Sequence, residues 1–238
     1  MKMQKIIEAI NLRKYYHRGS EIVKALNGVN FEIKPYEIVS IVGPSGSGKT
    51  TLMNLISCLD SPTEGNLKIT GKDVTGLKEH QLITIRREKI GFIFQQFYLI
   101  STLTAKENVE LPLIFSKKAI SESKIFQLLE RVGLKGKENY QTNMLSGGDK
   151  QRISIARALV NEPEMVIADE PTGKLETKER DSLMELLKEL AKSGLAVFIA
   201  THDLELAWMT QRVIHLQDGK IIPKDESTLY RGDKDAIQ

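Results

Sequence analysis

The sequence predicts an α/β fold, with a core built on a mainly parallel sheet, an antiparallel β portion at the N-terminus and an inserted α-helical portion. Three observations predict it. The run EIVSIVG at 37–43 is almost continuously apolar and β-branched, and it opens straight into a glycine-rich turn followed by a helical pattern, the order of a covered strand feeding a crossover helix. Two more apolar runs, at 165–168 and 196–200, flank an amphipathic helical pattern, so strand and helix alternate again. From 97 to 160 that alternation stops, leaving one clear helix and no convincing strand.

In chain order, IIEAI (6–10) and VNFEI (29–33) alternate apolar and polar residues, as half-buried antiparallel strands do. After the glycine turn, Leu52, Leu55, Ile56 and Leu59 recur at helical spacing. Ile90–Phe94 reads as a buried strand. In the insertion, Ile125, Leu128, Leu129 and Val132 fall at i, i+3, i+4 and i+7, and Gly133 stops the helix. Pro163 separates a preceding helix from the strand Met165–Ala168, because proline cannot continue a helix ladder. Leu183, Leu186, Leu187 and Leu190 mark the helix before Ala196–Ala200, and RVIHLQDGKII reads as a hairpin turning at Asp218-Gly219. Repeats, low-complexity tracts and long linkers are absent from the sequence. Residues 1–238 therefore read as one domain, with 1–96 and 161–238 as the core and 97–160 as the helical insert.

The 34 basic and 31 acidic residues, net +3, nearly balance, so charge demands no nucleic-acid or anionic-lipid partner. No apolar run reaches the roughly 18 residues that span a bilayer, and the N-terminus lacks a secretory signal pattern. A cytoplasmic protein is expected. The single Cys58 cannot form an internal disulfide and reads as a packing residue.

Chemistry concentrates in a few stretches. Gly43-Pro44-Ser45-Gly46-Ser47-Gly48-Lys49-Thr50 matches the Walker A pattern in full, which makes the core that of a P-loop NTPase. Backbone N–H groups from about Ser45 to Lys49 can wrap a phosphate at the positive end of the helix. Lys49 would reach the β- and γ-phosphates of ATP, Thr50 would bind Mg²⁺, and Thr51 could bond the α-phosphate. Met165–Glu170 ends a buried strand in two acids, at the edge where open α/β sheets bind ligands. Asp169 is read as the Mg²⁺ acid and Glu170 as the base for an attacking water; two acids capping the next helix is the plainer alternative.

LSGGDKQR at 145–152 and Thr201-His202-Asp203 after the next strand narrow this further. With them the chain resembles the ATP-binding cassette (ABC) ATPases over essentially its whole length, in motif order. The resemblance implies the ABC ATPase fold and makes His202 a switch histidine. It also implies that Gln95, with Gln96 as competitor, is the Q-loop ligand of Mg²⁺, and that Tyr16, beside Tyr15, is the aromatic that stacks on adenine. GPSGSGKTTLMNLISCLDSPTEG, IRREKIGFIFQQF and TAKENVELPLIF are most similar to the branch of lipoprotein-releasing, macrolide-exporting and cell-division-type systems.

The resemblance further implies a head-to-tail homodimer across two ATP molecules, in which Ser146, Gly147 and Gly148 of one chain meet the nucleotide held by the other. Integral membrane permease subunits would be the partners, with the chain peripheral on the cytoplasmic face of the membrane. The groove beside 97–115 is the candidate docking surface, where Phe97, Tyr98 and Leu99 are apolar enough to be covered, ordinary core packing of the three being the equal alternative. Nucleic acid is not expected; a soluble ABC ATPase acting on nucleic acid or chromosome structure is the alternative, and it would need long coiled-coil or zinc insertions for which the motif spacing leaves no room. Three residues depart from the family pattern: Asp149 after LSGG, and Lys174 and Glu176 in PTGKLE. Asp149 stands three residues beyond Ser146, the spacing of a capping box, so its carboxylate is expected to reach back to the Ser146 N–H.

Overall fold

A computed structural model describes residues 4–116 and 121–222. β1 (Ile7–Arg18) and β2 (Glu21–Ile33) form a long antiparallel pair, and with β4 (Glu64–Ile69) and β5 (Lys72–Asp73) they make an antiparallel sheet of order β2-β1-β4-β5. Both leading strands run well past the alternating stretches that announce them, because their outer halves, including Tyr15 and Tyr16, leave the core and pair with each other alone.

The second sheet is the mainly parallel one. β3 (Ile38–Val42), β6 (Ile90–Ile93), β7 (Met165–Asp169), β8 (Ala196–Ala200) and β9 (Arg212–Gln217) run parallel, and β10 (Lys220–Ile222) turns back on β9, giving the order β10-β9-β3-β8-β7-β6. Every residue of β3 and β8 is buried, the expected state of strands covered on both faces. One apolar cluster, with Leu12, Leu52, Leu67 and Phe198, fills the space between the sheets and around α1 (Lys49–Ile56). A second, with Val166, Val197, Leu183 and Leu187, lies on the opposite face under α6 (Thr177–Lys192).

That second cluster continues without a break into α3 (Ala105–Ser116), α4 (Glu122–Arg131) and α5 (Gly147–Leu159), through Val109, Leu129 and Ile155. Between 97 and 160 the described residues form these helices, a 3₁₀ turn at Thr142–Met144 and one isolated bridge, Thr104 with Gln141. α5 lies so close on β6 that a Cβ added to Gly91 would stand 2.4 Å from the Ala158 carbonyl oxygen. α2 (Glu79–Lys89) and α7 (Leu204–Trp208) complete the chain order.

Candidate active site

β3 delivers the chain into the glycine loop, and α1 starts at Lys49. The glycines are required first by the neighbouring strands. At Gly43 a Cβ would sit 2.0 Å from the Leu216 carbonyl oxygen, and at Gly48, with φ 106°, 2.4 Å from that of Ala25. Strand β9 and the backbone of β2 thus press the loop into a tight curve. Gly48 has no side-chain cap, no acid stands in the first turn of α1, and the buried Ser47 Oγ has no hydrogen-bond partner among the described residues. Uncapped amides at a helix start, free of competing carboxylates, suit the phosphates of a nucleotide. The Lys49 ammonium donates to the carbonyls of Gly43 (2.6 Å) and Pro44 (3.0 Å), folded over the same loop. Ser45, Gly46 and Thr50 are exposed, and Thr51 is half-buried behind them.

Tyr16 reaches this loop from the outer half of β1. Its hydroxyl donates to Asp60 Oδ2 at 2.9 Å, it also hydrogen-bonds Thr51, and the Lys14 ammonium lies 5.0 Å from its ring centroid while pairing with Asp60 at 2.6 Å. Burial and then the Asp60 hydrogen bond push the phenol pKa up. Tyr15 lies beside Lys24 instead, its ring 5.8 Å from that ammonium, so of the adjacent pair Tyr16 is the one in contact with α1.

β7 and β8 are in register with Asp169 opposite Ala200, which sets the two chain exits side by side. Glu170 follows in the left-handed region, φ 45°, a strained state for a non-glycine residue. Its Oε2 accepts from the buried Thr201 hydroxyl (2.9 Å), while Oε1 accepts from the His202 backbone N–H (2.8 Å) and lies 2.6 Å from His202 Nδ1. Glu170 and His202 are therefore one hydrogen-bonded pair, with the imidazole otherwise exposed. The Asp169 carboxyl has a raised pKa, first from burial and then from the Glu170 charge, with Lys49 opposing. A buried acid crowded by a second acid is the surrounding a divalent cation relieves, so these residues fit Mg²⁺. Gln95, exposed just beyond β6, lays its amide on Gly173, whose N–H donates to the Glu170 carbonyl oxygen at 3.1 Å.

The second helix start corrects the expectation for Asp149. Ser146 is the N-cap of α5 and its hydroxyl accepts from the Asp149 N–H at 3.1 Å, but the return bond is not made. The Asp149 carboxylate points away and pairs with Lys137 at 2.6 Å. The acid that does serve this helix start comes from α6: Glu179 Oε1 accepts from the Gly148 N–H at 3.2 Å. Of the other two departures, Glu176 is the N-cap of α6 in a complete capping box with Glu179, and the Lys174 ammonium lies 5.9 Å from the Phe97 ring centroid.

Sequence reasoning missed Thr201, Asp60 and Glu179, which hold Glu170, Tyr16 and Gly148 in place. Thr201 stood in a quoted motif, where a hydroxyl beside the histidine was a usable signal. Glu179 carried none, because its partner lies 31 residues away. α5 packs chiefly on α3, β6 and α4, whereas α1 packs on β2 and β8, so the two glycine-rich helix starts belong to different neighbourhoods.

A profile of the ABC transporter family matches residues 26–173. The chain is 44% identical over 220 residues to YknY, an ABC transporter ATP-binding protein of Bacillus subtilis, covering 92% of this chain and 96% of that one. It is 45% identical to the macrolide export ATP-binding/permease protein MacB of Hyphomonas neptunium over 91% of its own length, but spans only 34% of that protein. Among solved structures, the dimeric post-hydrolysis state of the ATP-binding cassette MJ0796, from Methanocaldococcus jannaschii and bound to ADP and phosphate, superposes with a TM-score of 0.81 at 46% identity, covering 91% of this chain and 97% of that one. With the family profile matched and likeness to such cassettes over more than nine-tenths of its length, this chain belongs to the ABC transporter family and is one of its ATP-binding, ATP-hydrolysing cassettes.

Proposed function

We propose that two copies of this chain close head to tail around two ATP molecules, and that closing and reopening drive a separate membrane permease. The observation that carries this reading is the split of the phosphate-binding elements. The loop at 43–50 and Glu170 lie at one edge of the parallel sheet, the uncapped amides of α1 beside them, while Ser146 starts a helix packed elsewhere. A second chain supplies what one chain keeps apart, as the dimeric state of the similar cassette supports.

In this reading the amides of Ser45, Gly46, Ser47 and Gly48 cradle the phosphates, Lys49 leaves the Gly43 and Pro44 carbonyls for the β- and γ-phosphates, and Thr51 lies against the α-phosphate. Tyr16 offers its ring to adenine, with Lys14 and Asp60 fixing its angle. Thr50, Asp169 and Gln95 would hold Mg²⁺, which would supply positive charge to offset the charge that develops on the phosphates. Glu170 takes a proton from the attacking water, and His202, already bonded to that carboxylate, steadies it and faces the γ-phosphate. Ser146 Oγ with the Gly147 and Gly148 backbone completes the cage on the partner's γ-phosphate.

The permease would dock in the groove of about 550 Å³ beside α3, lined by Arg86, Phe92, Phe94, Tyr98, Phe115 and Arg157. Its rim exposes two aromatic side chains, Tyr98 (64%) and Phe115 (73%), that a partner could cover. Among the described residues no helix is long and apolar enough to cross a membrane, so the permease is a different chain or segment. MacB, which joins a cassette like this one to a permease in one protein, supports an export-type partner. Nothing among the relatives supports the nucleic-acid alternative.

Mixing Lys49→Ala chains with Ser146→Arg chains tests the shared site. Each pure variant should lose turnover by roughly 10²-fold or more. Mixed dimers should recover one intact site and a part of the wild-type rate; mixtures no more active than the sum of the two pure variants would sink the trans assignment.

A further inference from the structure

The start of α5 is already occupied by an anion from its own chain. Gly148 is the second residue of the helix, where a backbone N–H has no partner within the helix, and Glu179 Oε1 accepts from it at 3.2 Å. The fit is close: a Cβ at Gly148 would stand 2.5 Å from that oxygen. The other carboxylate oxygen turns back to the Glu176 N–H at 3.4 Å, so one side chain closes the starts of both α5 and α6. Asp149, nearer in sequence, is held off by Lys137.

We infer that Glu179 is a stand-in for the partner's γ-phosphate at the signature helix, and that its displacement sets how much ATP is needed to join two chains. The inference rests on the reading above, in which Gly148 meets that phosphate. A carboxylate oxygen and a phosphate oxygen are both negatively charged and accept the same kind of hydrogen bond, so they compete for one N–H and repel at contact distance. Glu179 must swing aside as the chains close. Its bond to Glu176 can persist, and a pocket of about 210 Å³ that runs from Ser146, Gly148 and Asp149 past the carboxylate to Arg152, Lys178 and Ser182 gives it room to turn toward the two cations. When hydrolysis and phosphate release empty the helix start, Glu179 recaps Gly148, and the separated chain regains a bond that the closed dimer lacks.

The test uses chains carrying Glu170→Gln, in which slowed hydrolysis should let ATP-closed dimers accumulate, and reads the ATP concentration at half-dimerisation by light scattering. Glu179→Gln removes the charge but keeps an acceptor, and Glu179→Ala removes both. A charge at an exposed helix start is worth about threefold per site, hence roughly tenfold in the dimerisation constant, and because two ATP enter each dimer the midpoint moves with the square root of that constant, about threefold. Both variants should lower the midpoint by about that factor, while the affinity of a single chain for a fluorescent ATP analogue, measured with Ser146→Arg added to prevent closure, stays unchanged. An unmoved or raised midpoint in both variants overturns the inference, as does a shift matched by the single-chain affinity. If the parent does not dimerise with ATP, or Ser146→Arg leaves dimerisation intact, the head-to-tail reading fails and takes the inference with it. If the parent dimerises, Ser146→Arg abolishes it and the midpoint stays put, the inference alone fails.

Discussion

Asp169 is kept in an environment that disfavours its charge. Burial and the neighbouring Glu170 raise its pKa, so the folded chain binds this proton more tightly than the unfolded chain does. The stability it contributes is present below the ordinary carboxylate pKa and is lost as pH rises through the raised value. Asp169→Asn removes the charge and should raise the melting temperature of the nucleotide-free chain at pH 7 by roughly 2–4 °C while abolishing turnover. The gain should vanish as pH falls through the carboxylate range; a variant that melts lower than wild type at pH 7 would show that Asp169 is not strained in this way. At this scale the sequence was most informative where residues act through local spacing. The positions of Lys49, Asp169, Glu170 and His202, at strand ends, in the loops that follow or at the helix start, were readable from the motifs; the roles proposed for them are a separate matter. Asp149 was misread because its spacing to Ser146 was right but Lys137, twelve residues upstream, offered its shorter side chain a full opposite charge.

At the scale of elements, α5 depends on how closely it can lie on β6. Gly91→Ala would drive a methyl group into the Ala158 carbonyl, a backbone atom with little freedom to retreat. It should cost about 1–3 kcal/mol of unfolding free energy, measured in urea, as overpacked interiors do. It should also reduce turnover by shifting Ser146 away from a partner, whereas full activity at wild-type stability would mean the helix is free to slide. β3, α1 and the β7–α6–β8 run were legible because each combines an unbroken apolar stretch with a clear stop. α3 was not: Pro112 sits inside it, removing the N–H that would bond Asn108, so the local pattern argued for a break. The helix forms because the buried Asn108 side chain ties it to Ile100, Leu103 and Thr104, contacts set by tertiary structure. α2 was hidden for another reason, since only Leu82 and Ile85 of its residues are buried, too few to show a period.

At the scale of the whole molecule, a reaction that needs two chains should betray itself in its order. Turnover per chain should rise with protein concentration in the micromolar range and respond to ATP with a Hill coefficient above one, approaching two; turnover per chain that is flat over a hundredfold dilution would argue for a self-sufficient monomer. The same interdependence gives α5 a mechanical meaning. Near its far end Arg157 donates to the backbone carbonyls of Tyr98 (2.5 Å) and Phe97 (2.7 Å), beside the groove, and near its first turn lies Gly148. Nine residues of helix, roughly 14 Å, separate the two, too short and too stiff to bend appreciably. A push on the Phe97–Tyr98 backbone is therefore not absorbed on the way. In the proposed dimer it would arrive at the other end as a stroke, and α5 would work as a connecting rod between a moving membrane partner and the moment at which two cassettes latch.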